Sequence, residues 1–164
     1  MTVTEEPISD EPTAARRIDN GYDLTPAEKK FVGLHITVAF AALMVGSFFG
    51  PMQSLEFGGL DLYPYLEPVI KSYYQGLTLH GVLNALVFTT IFITGFSTLT
   101  TIKGLGRPLA KPLINKIGFG TSVVGLVVTA IPILMNKASV LYTFYPPLKA
   151  SWAFYLGLVL VVVG

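Results

Sequence analysis

The chain has 164 residues, of which 52% are hydrophobic and only 13% are charged, and its mean hydropathy is +0.62. A soluble domain carries about 25% charged residues, so the composition indicates a membrane protein. The net charge of +1 gives no basis for nucleic-acid binding. The chain contains no cysteine, which excludes disulfides and thiolate metal sites within it.

Residues 1–25 are rich in polar residues and proline and poor in large apolar groups. Such a segment buries too little surface to order itself, so we predict a flexible tail on the cytoplasmic side. Its start, MTVTEEPISD, lacks the basic and apolar regions of a cleavable signal peptide. The remainder, residues 26–164, is predicted to form a transmembrane bundle.

Four apolar runs follow the tail, at about 31–49, 77–99, 114–135 and 152–164. A membrane-spanning helix needs ~20 such residues, and the first three runs meet this length. The fourth ends at Leu-Val-Val-Val-Gly without a polar flank. A helix that stopped there would leave carbonyls unpaired in hydrocarbon, so we expect the natural protein to continue. The predicted fold is an all-α polytopic transmembrane helix bundle with three full spans and a truncated fourth.

The basic residues are distributed unequally between the two sides of these spans. The more basic side carries Arg16, Arg17, Lys29, Lys30, Lys103, Arg107, Lys111 and Lys116, and the other side carries Lys71, Lys137 and Lys149. Because cytoplasmic loops are enriched in Lys and Arg, we predict a cytoplasmic N-terminus.

Span 2 contains two polar residues, His80 and Asn84, that lie one helical turn apart on one face. Gly76 lies on the same stripe, one turn in the other direction. Polar side chains inside a span are costly and are therefore functional candidates. A neutral imidazole is a good axial ligand for heme iron, and the Gly76 carbonyl is the expected partner of its other ring nitrogen. The alternative, that His80 only hydrogen-bonds a neighbouring helix, stays open on spacing alone.

The second histidine, His35, is placed near the cytoplasmic end of span 1, whereas His80 is placed near the outer end of span 2. Their depths differ by more than ~10 Å in a ~30 Å core, so they cannot both bind one iron. We interpret His35 as a residue of helix packing or of the interface. Gly46 and Gly50 form a small-xxx-small step, which is more typical of helix packing than of function.

Three segments resemble subunit I of the heme-copper oxygen reductases, in particular the B-type branch of ba-type cytochrome c oxidases. Residues 72–85 (SYYQGLTLHGVLNA) are similar to the family's second helix. Residues 140–149 (VLYTFYPPLK) with 152–157 (WAFYLG) resemble the outer loop after helix three and the start of helix four. Residues 45–51 (VGSFFGP) resemble the end of helix one. The resemblance extends from about residue 26 to residue 164.

The resemblance implies that His80 is one axial ligand of a low-spin heme, expected to be b-type. It places Tyr142 and Tyr145 near that heme, with a structural role in the Tyr-Pro-Pro loop as the open alternative. Gly76 and Asn84 would lie beside the heme because they share the helix face of His80. The second ligand, the high-spin heme and the copper site belong to later helices of a subunit with twelve or more helices. This chain alone would therefore be inactive. The loop after span 2 has no acidic residue, which fits the B-type branch.

The complete enzyme would reduce oxygen to water and pump protons in the plasma membrane of a prokaryote, as a multi-pass protein in the lipid bilayer. Its implied partners are a copper-bearing subunit II, other small membrane subunits, and cytochrome c or a similar electron donor. Two alternatives remain at this point. One is a nitric oxide reductase-like member of the same superfamily, and the other is a non-enzymatic membrane scaffold in which His80 only packs.

Overall fold

A computed structural model describes residues 21–67, 69–140 and 149–164. Most of the predicted tail and the two tyrosines Tyr142 and Tyr145 lie outside the described residues. What the sequence predicts for these residues therefore stays a prediction.

The first helix, α1, extends over Pro26–Phe57 and is longer at both ends than the predicted run of 31–49. It begins earlier because Thr25 and Glu28 form a capping box. The Thr25 hydroxyl accepts the Glu28 N–H at 3.3 Å, and the Glu28 carboxylate accepts the Thr25 N–H at 2.9 Å. It also continues through Pro51 for another six residues, where the resemblance had placed its end. Met52 and Gln53 in that extension are buried, so tertiary packing supports it.

The second helix, α2, extends over Tyr73–Leu105, which contains the predicted run of 77–99. Ser72 caps its start by accepting the Gln75 N–H at 3.2 Å. Gly106 ends it in the left-handed conformation with φ of 59°. The segment Val82–Phe88 is a π-helix rather than an α-helix, which the sequence pattern does not predict.

Helices α3, over Pro112–Leu134, and α4, over Trp152–Val163, agree closely with the predicted third and fourth runs. They pack closely against each other along their length. Gly125 and Gly157 allow it: a Cβ on Gly125 would lie 2.5 Å from the backbone nitrogen of Val161. Three helices, α1 to α3, are long and apolar enough to cross a membrane, and backbone pairing between described extended residues amounts to one isolated bridge. The all-α transmembrane fold is thus confirmed.

Hydrogen bonds at one end of the bundle join the start of α1 to the connection between α2 and α3. The Lys103 ammonium donates to the Tyr22 carbonyl at 2.9 Å. The Leu109 N–H donates to the Glu28 carboxylate at 3.1 Å. Lys103, one of the basic residues that the sequence assigned to one side, therefore lies at the same end as the start of α1.

Gln75 joins three segments at the opposite end and is completely buried. Its amide oxygen accepts the Lys71 N–H at 2.8 Å. Its amide nitrogen lies 3.0 Å from the Val69 carbonyl and 2.8 Å from the Ile133 carbonyl. One side chain therefore fixes the α1–α2 connection and the end of α3 to the first turn of α2.

Replacing Gln75 by methionine, which has a similar shape but no amide, should destabilise the protein. The Lys71 N–H would lose its partner and the Val69 and Ile133 carbonyls would each lose one hydrogen bond, and an unpaired buried group costs about 1–3 kcal/mol. We expect a lower midpoint of thermal unfolding for purified Gln75→Met. Tyr74→Phe, an exposed neighbour that keeps its ring, should leave the midpoint unchanged; equal midpoints for both variants would contradict the role of Gln75.

Candidate functional site

His80 lies on α2 with its ring against α1. Its Nδ1 is 2.9 Å from the Gly46 carbonyl oxygen of α1. The side chain is half-buried. The carbonyl that contacts the ring is therefore that of Gly46, and the expectation that Gly76 would supply it is wrong. Within its own helix the Gly76 carbonyl faces along the axis, whereas the Gly46 carbonyl approaches from the neighbouring helix.

Gly46 and Gly50 allow the close approach between α1 and the polar face of α2. A Cβ on Gly50 would lie 2.9 Å from Cε1 of His80. A Cβ on Gly46 would clash with the amide oxygen of Asn84 and lie 2.9 Å from Cβ of Leu83. The small-xxx-small step of the sequence is thus a packing motif, as interpreted, and what it packs against is the His80 imidazole.

Asn84 is the third polar group at this contact. Its amide nitrogen lies 3.2 Å from Nδ1 of His80. Its amide oxygen is buried and has no hydrogen-bond partner among the described residues. The predicted pairing of His80 with Asn84 on one face is confirmed, and the face is directed at α1.

Gly76 serves a different contact. A Cβ there would lie 2.9 Å from the Tyr63 ring and 3.0 Å from the Gln53 amide nitrogen. Gln53 donates a hydrogen bond to the Tyr63 hydroxyl. Burial, with a smaller contribution from the Glu56 carboxylate, raises the pKa of Tyr63 to about 12, so the phenol stays neutral. Gly76 therefore makes room for the α1–α2 connection.

His35 lies far from His80 in the structure. It is buried, its Nδ1 is 3.0 Å from the Phe31 carbonyl, and its ring packs on Phe119 with centroids 4.3 Å apart. It meets α2 at Gly95, which is 15 residues beyond His80 or roughly 22 Å along a helix. The two histidines do not form one site, and the interpretation of His35 as a packing residue is confirmed.

The arrangement at His80 fits a single axial ligand to a metal. Nδ1 is held by the Gly46 carbonyl, while Nε2 has no hydrogen-bond partner among the described residues. A ligating histidine typically donates its other ring N–H to a carbonyl, which fixes tautomer and ring orientation. No group of three or more His, Cys, Asp or Glu side chains gathers in the described part of the chain. Any remaining ligands would therefore come from elsewhere.

The π-helix of α2 begins two residues after His80. Such segments are rare and often occur at functional sites. The sequence gives no local signal for it, because neither Pro nor Gly occurs within Val82–Phe88. The sequence pattern also does not predict that the Gly46 carbonyl meets the His80 ring. The four-residue spacing of Gly46 and Gly50 indicates only a close helix contact.

Comparison with known proteins agrees with this architecture. Residues 30–164 match the family model described as Cytochrome C and Quinol oxidase polypeptide I. The chain is 47% identical over 146 residues to cytochrome c oxidase subunit 1 of Thermus thermophilus, covering 87% of this chain and 26% of that protein. This chain belongs to the subunit I family of the heme-copper oxidases.

A solved structure of a heme-copper terminal oxidase dimer, determined by cryo-EM, is also similar to the chain. It has a TM-score of 0.74 and 39% sequence identity, covering 84% of this chain and 23% of that one. The chain therefore spans about a quarter of the length of the relatives that it matches.

Substitution of Gly46 should separate α1 from the polar face of α2. Gly46→Ala places a methyl group against Asn84 and Leu83, so we expect a lower unfolding midpoint for the purified protein. Gly33→Ala is the matched control, because it lies on the same helix with open space around it. It should be neutral or stabilising by up to about 1 kcal/mol. Equal destabilisation by both variants would show that the close contact is unimportant.

Proposed function

We propose that this chain carries one axial ligand, His80, of a low-spin heme in the catalytic subunit of a terminal respiratory oxidase. The observation that supports this most directly is that the two ring nitrogens of His80 have different surroundings. Nδ1 faces the Gly46 carbonyl at 2.9 Å, and Nε2 has no hydrogen-bond partner among the described residues, so it can bind a metal when Nδ1 carries the proton. Membership of the heme-copper oxidase family supplies the cofactor class, and a b-type heme is proposed.

The residues around His80 hold and shield the ligand. The Gly46 carbonyl favours the proton on Nδ1 and orients the ring, since a carbonyl oxygen can only accept. Gly50 leaves the ring free of a clashing Cβ. Leu79 and Leu83, both buried, keep water from the adjoining helix face. When bound, the heme supplies a one-electron carrier whose potential depends on axial ligation and on the surrounding polarity.

The complete protein is proposed to be a B-type cytochrome c oxidase that reduces oxygen to water and pumps protons. The curated relative bears the name cytochrome c oxidase subunit 1, which supports this class. The α2–α3 connection, residues 106–111, carries no acidic residue, which favours the B-type branch. The high-spin heme, the copper and the second ligand of the low-spin heme would belong to the rest of the subunit.

The proposed partners follow from the same class. They are a copper-bearing subunit II, small membrane subunits, and cytochrome c or a similar donor. Tyr142 and Tyr145 are proposed to lie near the heme on the outer side. The chain alone, with one ligand of one heme, is proposed to be inactive.

Replacement of His80 in the complete enzyme should remove the low-spin heme. We expect His80→Ala to lose the low-spin absorption band, with oxygen consumption falling to background, because the iron would lack an axial ligand. His35→Leu is the control: it changes the other histidine, which is buried at a separate contact, and should retain the band per folded protein. An unchanged band in His80→Ala would overturn the assignment.

The membrane orientation is proposed from the basic end of the bundle. Tyr22, Glu28, Lys103 and Leu109 meet there, and positive charge favours the cytoplasmic side. The proposed location is the plasma membrane of a prokaryotic cell, with the N-terminus in the cytoplasm.

Single cysteines can test this orientation, since the chain has none of its own. Lys137→Cys and Lys111→Cys place thiols at exposed positions beyond opposite ends of α3. In spheroplasts, a membrane-impermeant maleimide should label Lys137→Cys at once and Lys111→Cys only after permeabilisation. The reverse pattern would place the N-terminus outside.

A further inference from the structure

Nδ1 of His80 has two polar neighbours, of which one accepts a hydrogen bond and the other donates one. The Gly46 carbonyl oxygen at 2.9 Å can only accept a hydrogen bond. The Asn84 amide nitrogen at 3.2 Å can only donate one. A neutral imidazole has one N–H, so Nδ1 cannot satisfy both neighbours as they are placed.

The two tautomers resolve this conflict in opposite ways. With the proton on Nε2, Nδ1 accepts from Asn84 but faces the lone pairs of the Gly46 carbonyl. With the proton on Nδ1, the ring donates to Gly46, and the amide of Asn84 must present its oxygen instead. Only the second tautomer leaves Nε2 free to bind iron.

The Asn84 amide oxygen provides an independent observation. It is buried without a hydrogen-bond partner among the described residues. Rotation of the amide by a half turn exchanges its oxygen and nitrogen and brings the oxygen to Nδ1. In that orientation the Nδ1–H has two acceptors, the Gly46 carbonyl and the Asn84 amide oxygen, and two donors no longer face each other at Nδ1.

We propose that Asn84 is a positioning residue for His80, and this rests on the proposed heme ligation. When Nε2 binds iron, the Asn84 amide oxygen accepts the Nδ1–H together with the Gly46 carbonyl. A second acceptor on this N–H makes the imidazole a stronger electron donor. A stronger donor stabilises ferric over ferrous iron, so Asn84 lowers the reduction potential of the heme.

The proposal is tested by redox titration of the low-spin heme band in the purified complete enzyme. Asn84→Leu removes the acceptor and should raise the ferrous-to-ferric ratio at a fixed ambient potential by about tenfold, which is ~59 mV for one electron. Asn84→Asp keeps an acceptor oxygen, so its potential should equal that of the unmodified enzyme or lie below it. Ala85→Leu, an adjacent exposed position, should not change the potential.

If Asn84 had a purely structural role, the reduction potential of the low-spin heme would shift in the same direction in Asn84→Leu and Asn84→Asp. The proposal is overturned if both potentials rise, or if Asn84→Leu matches Ala85→Leu. If Asn84→Leu fails to assemble, Asn84→Asp decides, and a potential above that of the unmodified enzyme is contrary to the proposal. His80→Ala distinguishes failure of the heme assignment from failure of the Asn84 proposal. If His80→Ala retains the low-spin band, the heme assignment is wrong. If the band is lost but the heme potential in the Asn84 variants equals that of the unmodified enzyme, only the proposed role of Asn84 is wrong.

Discussion

The contact between the His80 ring and the Gly46 carbonyl determines much of what the rest of the structure must provide. A carbonyl inside a helix already accepts from its own helix, so a second donor can reach it only if the neighbouring helix comes very close. That closeness requires glycine at positions 46 and 50 of α1. It also requires α1 and α2 to be held in one register, so that the ring meets that carbonyl.

The register is maintained at both ends of the bundle. At the basic end, Glu28 caps α1 and also accepts the Leu109 N–H. At the other end, Gln75 binds the segment before α2 and the end of α3, and it lies only five residues from His80. A buried polar group with all its hydrogen bonds made holds its neighbours in place. A shift of α2 against α3 would break several of the Gln75 hydrogen bonds at once.

The hydrocarbon surroundings explain why the polar face of α2 carries so few polar side chains. Hydrocarbon offers no hydrogen bonds, so each polar side chain within a span must find its partner in the protein. Nδ1 of His80 lies within hydrogen-bond distance of both the Asn84 amide and one backbone carbonyl, that of Gly46. The Asn84 amide oxygen has no partner among the described residues, and it belongs to the amide whose nitrogen lies 3.2 Å from Nδ1 of His80.

The sequence by itself determined the helical spans, the basic end, the shared face of His80 and Asn84, and the separation of His35 from His80. These depend on hydropathy, charge and helical periodicity, which are local properties of the chain. Only the tertiary structure decided that α1 continues past Pro51, that α2 contains a π-helix, and that Gly46 rather than Gly76 meets the imidazole. Each of these depends on which helix lies opposite, and local pattern carries no information about the neighbour.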